Sequence, residues 1–167
     1  MPSRKKGVKT HSMFTEQHSS VLELLKTSGL KMSFHPVDTD KGTICAKETN
    51  VVGEFICNNK PCKSKGWASG VVATVIRLYP DNRYNARVYH QRCKKCNTLS
   101  RPKLDESYAE RVAYRLKKWN DIDVEEPVYN KESKEPHKTQ LCEGCKAGHC
   151  RQSNMNSRFY SKRTQRK

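Results

Sequence analysis

At 167 residues, with 34% of them apolar and 30% charged, the chain has room for one domain with a thin core, so folding energy must come partly from something other than buried hydrocarbon. No apolar run approaches the ~18 residues needed to cross a bilayer, and the polar, basic stretch Met1 to Thr10 leads into no apolar signal segment, so a membrane-spanning or secreted protein is not expected. A reducing compartment, cytoplasm or nucleus, is expected instead, and the formal net charge of +16 directs attention to polyanionic partners.

In chain order, residues 1–15 read as a disordered basic N-terminus and residues 16–50 as a helix with a connecting loop. Ser20-Val21-Leu22-Glu23 fits a capping box, Val21, Leu22, Leu24 and Leu25 supply an apolar stripe, and Gly29 supplies a stop. Pro36, two aspartates and Gly42 make Phe34 to Asn50 a loop, with a short strand around Thr43 to Ala46. Cys45 stands apart from the other cysteines and reads as a small buried hydrophobe, not a ligand.

Val51 to Cys57 is β-rich and leads into the pair Cys57-x4-Cys62. Ala68 to Tyr79 is largely β-branched or apolar, Pro80 to Arg83 carries turn residues, and Tyr84 to Gln91 alternates large and polar side chains, which predicts a β-hairpin. A hairpin returns the chain to its starting point, so the pair before it meets Cys93-x2-Cys96 after it. Leu104, Tyr108, Val112 and Leu116 recur at helical spacing from Leu104 to Trp119, with Asp105 as N-cap and Arg115, Lys117 and Lys118 near the C-terminal end of the dipole. An acidic loop, Asp121 to Glu126, and a polar stretch then bring His137 toward Cys142-x2-Cys145-x4-Cys150. Residues 151–167 read as a disordered basic tail.

Seven clustered cysteines and one histidine make eight soft ligands, enough for two closed tetrahedral Zn²⁺ sites. The first is Cys57, Cys62, Cys93 and Cys96; the second is His137, Cys142, Cys145 and Cys150. His149 competes for the second set, and a cross-brace that pairs the first and third clusters is the alternative grouping. The expected fold is α+β: a small zinc-stabilised antiparallel β-hairpin or sheet, zinc-ribbon-like, with an amphipathic helix and two structural zinc sites. A catalytic zinc keeps one position open for water, which eight ligands for two ions do not leave, and H-E-x-x-H and the zinc-deaminase H-x-E are absent. An enzyme is not expected. A redox pair would not require five further clustered cysteines.

Between Ile56 and Lys103 eleven Lys or Arg residues face the single acid Asp81, and Arg151 to Lys167 adds six against none. Even with seven thiolates and two Zn²⁺ counted, the charge falls only from +16 to +13. Arg77, Arg83, Arg87, Arg92, Lys94, Lys95, Arg101 and Lys103 are the candidate phosphate contacts, and Tyr79, Tyr84 and Tyr89 interleave with them. Such tyrosines stack on unpaired bases if exposed, although packing is the plainer reading on a short sheet; Trp67 and Trp119 read as core. The expectation is a nucleic-acid module that binds single-stranded RNA, with an adaptor that meets an acidic protein partner as the alternative.

The runs Gly53-Glu54-Phe55-Ile56-Cys57, Trp67, Tyr84-Asn85-Ala86-Arg87-Val88-Tyr89-His90-Gln91-Arg92-Cys93-Lys94-Lys95-Cys96 and Leu141-Cys142-Glu143-Gly144-Cys145-Lys146-Ala147-Gly148-His149-Cys150 resemble the 3CxxC-type zinc-binding domain from about Val51 to Cys150. That family occurs in fungal proteins, vertebrate receptor-transporting proteins and zygote arrest proteins. The run Ser107 to Leu116 looks most like the fungal branch. The resemblance implies zinc binding and, by analogy with zygote arrest proteins, RNA binding; the family has no one shared activity. Two departures stand out: the first pair is C-x4-C, and the membrane segment of receptor-transporting proteins is missing, so their trafficking role is not implied.

Overall fold

The β-branched run at the centre of the chain forms a long antiparallel hairpin, seen in a computed structural model that describes residues 9–128 and 136–151. Strand β4, Trp67–Tyr79, pairs with β5, Arg83–Tyr89, from Thr74 opposite Val88 to Tyr79 opposite Arg83. Asp81 and Asn82 turn the chain between them at φ 65° and 52°, a region that short polar side chains tolerate. To define the remaining strands, β1 is His11–Ser12, β2 is Ser33–Phe34, β3 is Cys45–Phe55, β6 is Gln91–Arg92, β7 is Leu99–Ser100 and β8 is Lys103–Leu104. The main sheet runs β1-β5-β4-β3-β8, with β2 added parallel to β5, while β6 and β7 form a small second sheet.

The predicted separate strands around Thr43 to Ala46 and Val51 to Cys57 are one element. β3 runs unbroken along β4 from Cys45 opposite Leu78 to Phe55 opposite Trp67, and its one irregularity is a register shift between Val51 and Gly53. The N-terminal expectation also needs correcting. Residues 1–8 lie outside the described residues, but His11 and Ser12 pair with Tyr89 and Val88, and Phe14 is buried in the core.

Alternation along β4 and β5 gives the sheet two buried faces. Val72, Ile76, Tyr84, Ala86 and Val88 point to one of them, where they pack with Val51 and Phe55 against α1, His18–Leu25, and α2, Ser107–Trp119. α2 contributes Tyr108, Ala109, Val112, Ala113 and Leu116. It starts three residues later than predicted because Leu104 belongs to β8; the Asp105 carboxylate accepts from Ser107 N at 2.9 Å, as an N-cap does. The capping box at Ser20 and Glu23 does not form. A 3-10 turn, Thr15–Gln17, feeds directly into α1 at His18, which leaves Ser20 inside the helix. Gly29, at φ 69°, ends the following 3-10 turn as expected.

On the opposite face, Ala73, Val75 and Tyr89 pack against Cys142 and Cys150. α3, Glu143–Ala147, sits there close enough that a Cβ on Gly144 would collide with Ala73 Cβ. Farther along this face the loop before β3 is tied down by Arg77, which has no exposed surface and donates to Asp40, Asp38 and Asn85. No helix among the described residues is long and apolar enough to cross a membrane.

Candidate metal centres

The first centre lies where β3 ends and β4 begins. Cys57 and Cys62 stand in the connection between those strands, tightened by Cys62 N donating to Asn59 O at 2.9 Å. Gly66 closes it at φ 87°, and a Cβ there would strike Phe55 O. Cys93 and Cys96 come from the turn between β6 and β7, where Asn97 takes φ 61° and its N–H donates to Cys93 O at 2.8 Å. Cys57 Sγ lies 3.4 Å from Cys96 Sγ, Cys62 Sγ lies 3.9 Å from Cys93 Sγ, and all four sulfurs are within 4.8 Å of one another. A tetrahedral ion with Zn–S bonds of about 2.3 Å sets its sulfurs about 3.8 Å apart, so the donor set fits Zn²⁺.

Four sulfurs at this separation cannot all ionise alone. The Asn59 N–H favours the Cys57 thiolate, but desolvation and the neighbouring Cys96, Cys93 and Cys62 sulfurs outweigh it and push that thiol up to about 12. Cys96 goes the other way, to about 6, because the Thr98 hydroxyl and backbone N–H both favour its thiolate. A divalent cation would hold all four as thiolates and remove this conflict.

The second centre is built on α3. Cys142 precedes the helix and its Sγ accepts from Cys145 N at 3.4 Å. Gly148, at φ 78°, reverses the chain so that Cys150 returns. His137 enters from the segment before the 3-10 turn Thr139–Leu141, with Nε2 3.3 Å from Cys145 Sγ and 3.6 Å from Cys150 Sγ. Tetrahedral Zn²⁺ with one imidazole and a thiolate sets N and S about 3.6 Å apart, so this set fits as well. Burial would lower the His137 pKa, but the adjacent Cys142 and Cys150 sulfurs raise it to about 9, and Cys142 and Cys150 in turn push Cys145 up.

Both open questions of grouping are answered by this geometry. The ligands group in chain order, not as a cross-brace. His149 turns away from the second centre, with Nδ1 3.0 Å from Glu48 Oε1 and its ring stacked on Tyr89. Cys45 joins neither group; it is half-buried at the start of β3, not fully buried as expected. The family profile for a zinc-binding domain of the 3CxxC zinc-ribbon type matches residues 50–148. The chain belongs to that 3CxxC zinc-binding domain family. The match takes in seven of the eight converging ligands and stops two residues before Cys150. No curated protein and no solved structure matches the chain.

The basic residues of this 3CxxC domain divide into two groups. Arg77 leaves the candidate phosphate contacts, because its guanidinium is buried between Asp38 and Asp40. Arg87 is paired with Asp38 at 2.8 Å and Arg92 with Glu143 at 2.7 Å, while Arg83 donates to Pro80 O and His35 Nδ1. Arg101 is exposed, but it contacts Glu16 and lies 3.9 Å over the Phe14 ring. Lys94, Lys95 and Lys103 are exposed. So are Lys60, Lys63 and Lys65 in the connection that carries Cys57 and Cys62, three residues the sequence counted in its basic segment without singling them out. Tyr79, Tyr84 and Tyr89 are all buried, Trp67 and Trp119 pack against the core, and no Phe, Tyr or Trp among the described residues is fully exposed. The hairpin tyrosines are thus packing residues, the plainer of the two readings, and are not available to stack on bases.

Proposed function

We propose that the protein is a structural zinc module that binds RNA through its phosphates, at the end of the sheet that carries the four-cysteine centre. The reading rests on one observation above all: Lys60, Lys63 and Lys65 on one of the two loops whose cysteines meet in a single donor set, and Lys94 and Lys95 on the other, are all exposed, as are Arg101 and Lys103 a few residues further along the chain. Asp81, the lone acid of Ile56 to Lys103, sits at the far end of β4 in the hairpin turn. A Zn²⁺ with four thiolates carries two negative charges, which five lysines exceed. Zinc here supplies fixed loop geometry, and four protein donors per ion fill a tetrahedron, so the proposal contains no catalytic step.

A flexible single strand can lay successive phosphates on lysines of two neighbouring loops without presenting a groove. α2 lies against the sheet, with Arg111 buried and donating to Asn50 O, and is not placed as a groove-reading helix. With the hairpin tyrosines Tyr79, Tyr84 and Tyr89 buried, binding at this surface should be driven by charge and only weakly by sequence.

The test is fluorescence anisotropy of a labelled single-stranded RNA with the full-length, two-zinc protein across a salt series. Affinity should fall steeply with salt, and replacing Lys60, Lys63, Lys94 and Lys95 by Ala should flatten the log–log slope by about 0.7 for each phosphate no longer neutralised, while zinc content stays the same. An unchanged slope would remove this surface. If the two-zinc wild type does not bind RNA, an acidic protein partner becomes the better reading of the same lysines.

A further inference from the structure

The two metal centres share a strand. β6 is Gln91–Arg92, and the next residue, Cys93, is a donor of the first centre. Gln91 also forms an isolated antiparallel bridge with Cys142, a donor of the second, and Glu143 N donates to His90 O at 3.1 Å. The Arg92 side chain spans both sides: Nε donates to Glu143 Oε1 at 2.7 Å, at the first residue of α3, and one terminal nitrogen donates to Asn97 O at 3.0 Å, in the turn just after Cys96. Glu143 is 8% exposed in this pair. The Gln91 side chain reaches the start of β4, just past the loop that carries Cys57 and Cys62. Its Oε1 accepts from Trp67 Nε1 at 3.1 Å, its Nε2 donates to Ser69 Oγ and Val71 O, and Trp67 stacks flat on Phe55, two residues before Cys57.

We infer that Gln91, Arg92 and Glu143 are positioning residues that couple the two metal centres, so that closing either centre on its ion raises the affinity of the other for zinc. Closing the first centre fixes Cys93 and the turn to Asn97, and with them β6 and the Arg92 guanidinium. That guanidinium and the Gln91 backbone then hold Cys142 and the start of α3 where the second centre needs them. The same contacts run in reverse when the second centre closes first. The ion that arrives second meets backbone already ordered, and the affinity gain must be equal in both directions. This inference concerns metal loading alone and stands or falls independently of RNA binding.

The test is native mass spectrometry of the full chain at one equivalent of Zn²⁺. Two independent sites, whatever their separate affinities, leave at least half of the molecules with one ion when mean occupancy is one; coupled sites leave fewer. The wild type should fall below half, and Glu143→Gln, which keeps all eight donors, should restore the one-zinc species to half or more while still taking two ions at excess zinc. A wild type at half or more, or an unaltered distribution in Glu143→Gln, would overturn the inference. Should Glu143→Gln fail to load two ions, a reciprocal pair decides. Co²⁺ affinity at the four-cysteine centre in His137→Ala, and at the other centre in Cys96→Ser, should each fall by the same factor, about five- to tenfold. Unequal or absent decreases would sink the coupling.

Discussion

Among the described residues Arg77 is the largest side chain with no exposed surface, and its charge is matched one group at a time: Nε donates to Asn85 Oδ1 at 2.9 Å, and the two terminal nitrogens donate to Asp40 and Asp38. Removing it takes the 2.9 Å donor from the buried Asn85 Oδ1 and one of two arginine partners from Asp38, which keeps Arg87, so Arg77→Ala should lower the stability of the zinc-loaded protein by about 1–3 kcal/mol in urea unfolding. Burial would raise the Asp38 pKa, but the hydrogen bonds from Arg87 and Arg77 outweigh it and hold the carboxyl below its ordinary value. A folded pKa below the unfolded one means that Asp38 contributes stability above the usual carboxylate value of about 4 and loses it as pH falls through that range. Asp38→Asn should therefore be less stable than wild type at neutral pH, with the gap closing in acid. Thiolate protonation, common to both proteins, cancels from the comparison. Cys45→Ser should retain two ions by mass, since Cys45 belongs to neither donor set. The eight donors were legible in the sequence because soft ligands two to four residues apart are a local signature. The partners of Arg77 were not, because Asp38 lies 39 residues away. A signal did exist: Arg77 shares the face of Ala73, Val75 and Tyr79, so alternation along β4 already pointed it inward.

Among the elements, α3 is five residues long and has little helical stability of its own, so its position depends on the Cys142 to Cys150 donors and on Gly144 lying against Ala73. Gly144→Ala should force α3 off the sheet at a cost of about 1–3 kcal/mol, and at limiting zinc the second centre should lose its ion first; mass spectrometry combined with urea unfolding reads both. Loading and stability equal to wild type would mean that α3 does not need this close approach. The hairpin of β4 and β5 was legible from β-branched residues and turn chemistry. The length of β3 was not, because Ala46, Lys47, Glu48 and Asn50 are poor strand formers in isolation and extend only by pairing with β4. α1 shows the converse. Ser20 and Glu23 have the spacing of a cap, yet the turn at Thr15–Gln17 starts the helix earlier, and Val21 and Leu25 alone of the predicted stripe are buried.

At the scale of the whole molecule, helices cover one face of the sheet while the second metal centre covers part of the other, and the first centre joins the loops at one end. A structural zinc contributes roughly 10–16 kcal/mol of apparent binding energy where the unfolded chain has no site. Chelation with EDTA should therefore unfold the protein cooperatively, and the near-ultraviolet circular dichroism of Trp67 stacked on Phe55 should vanish with it; a native-like spectrum in the metal-free chain would show that the helix-covered core suffices. The α+β class and the zinc-ribbon likeness were legible in advance, but which face each centre covers depends on contacts distant in sequence, such as Gln91 with Cys142. That bridge also has a consequence in time. The chain is made from its N-terminus, so the hairpin, α2 and all four donors of the first centre are complete before His137 to Cys150 leave the ribosome. Throughout that interval Ala73, Val75 and Tyr89 lack the cover of Cys142 and Cys150, and the growing chain exposes an apolar strip beside a complete set of first-centre donors. The Cys142 to Cys150 knuckle, made after the first centre, is what closes that strip.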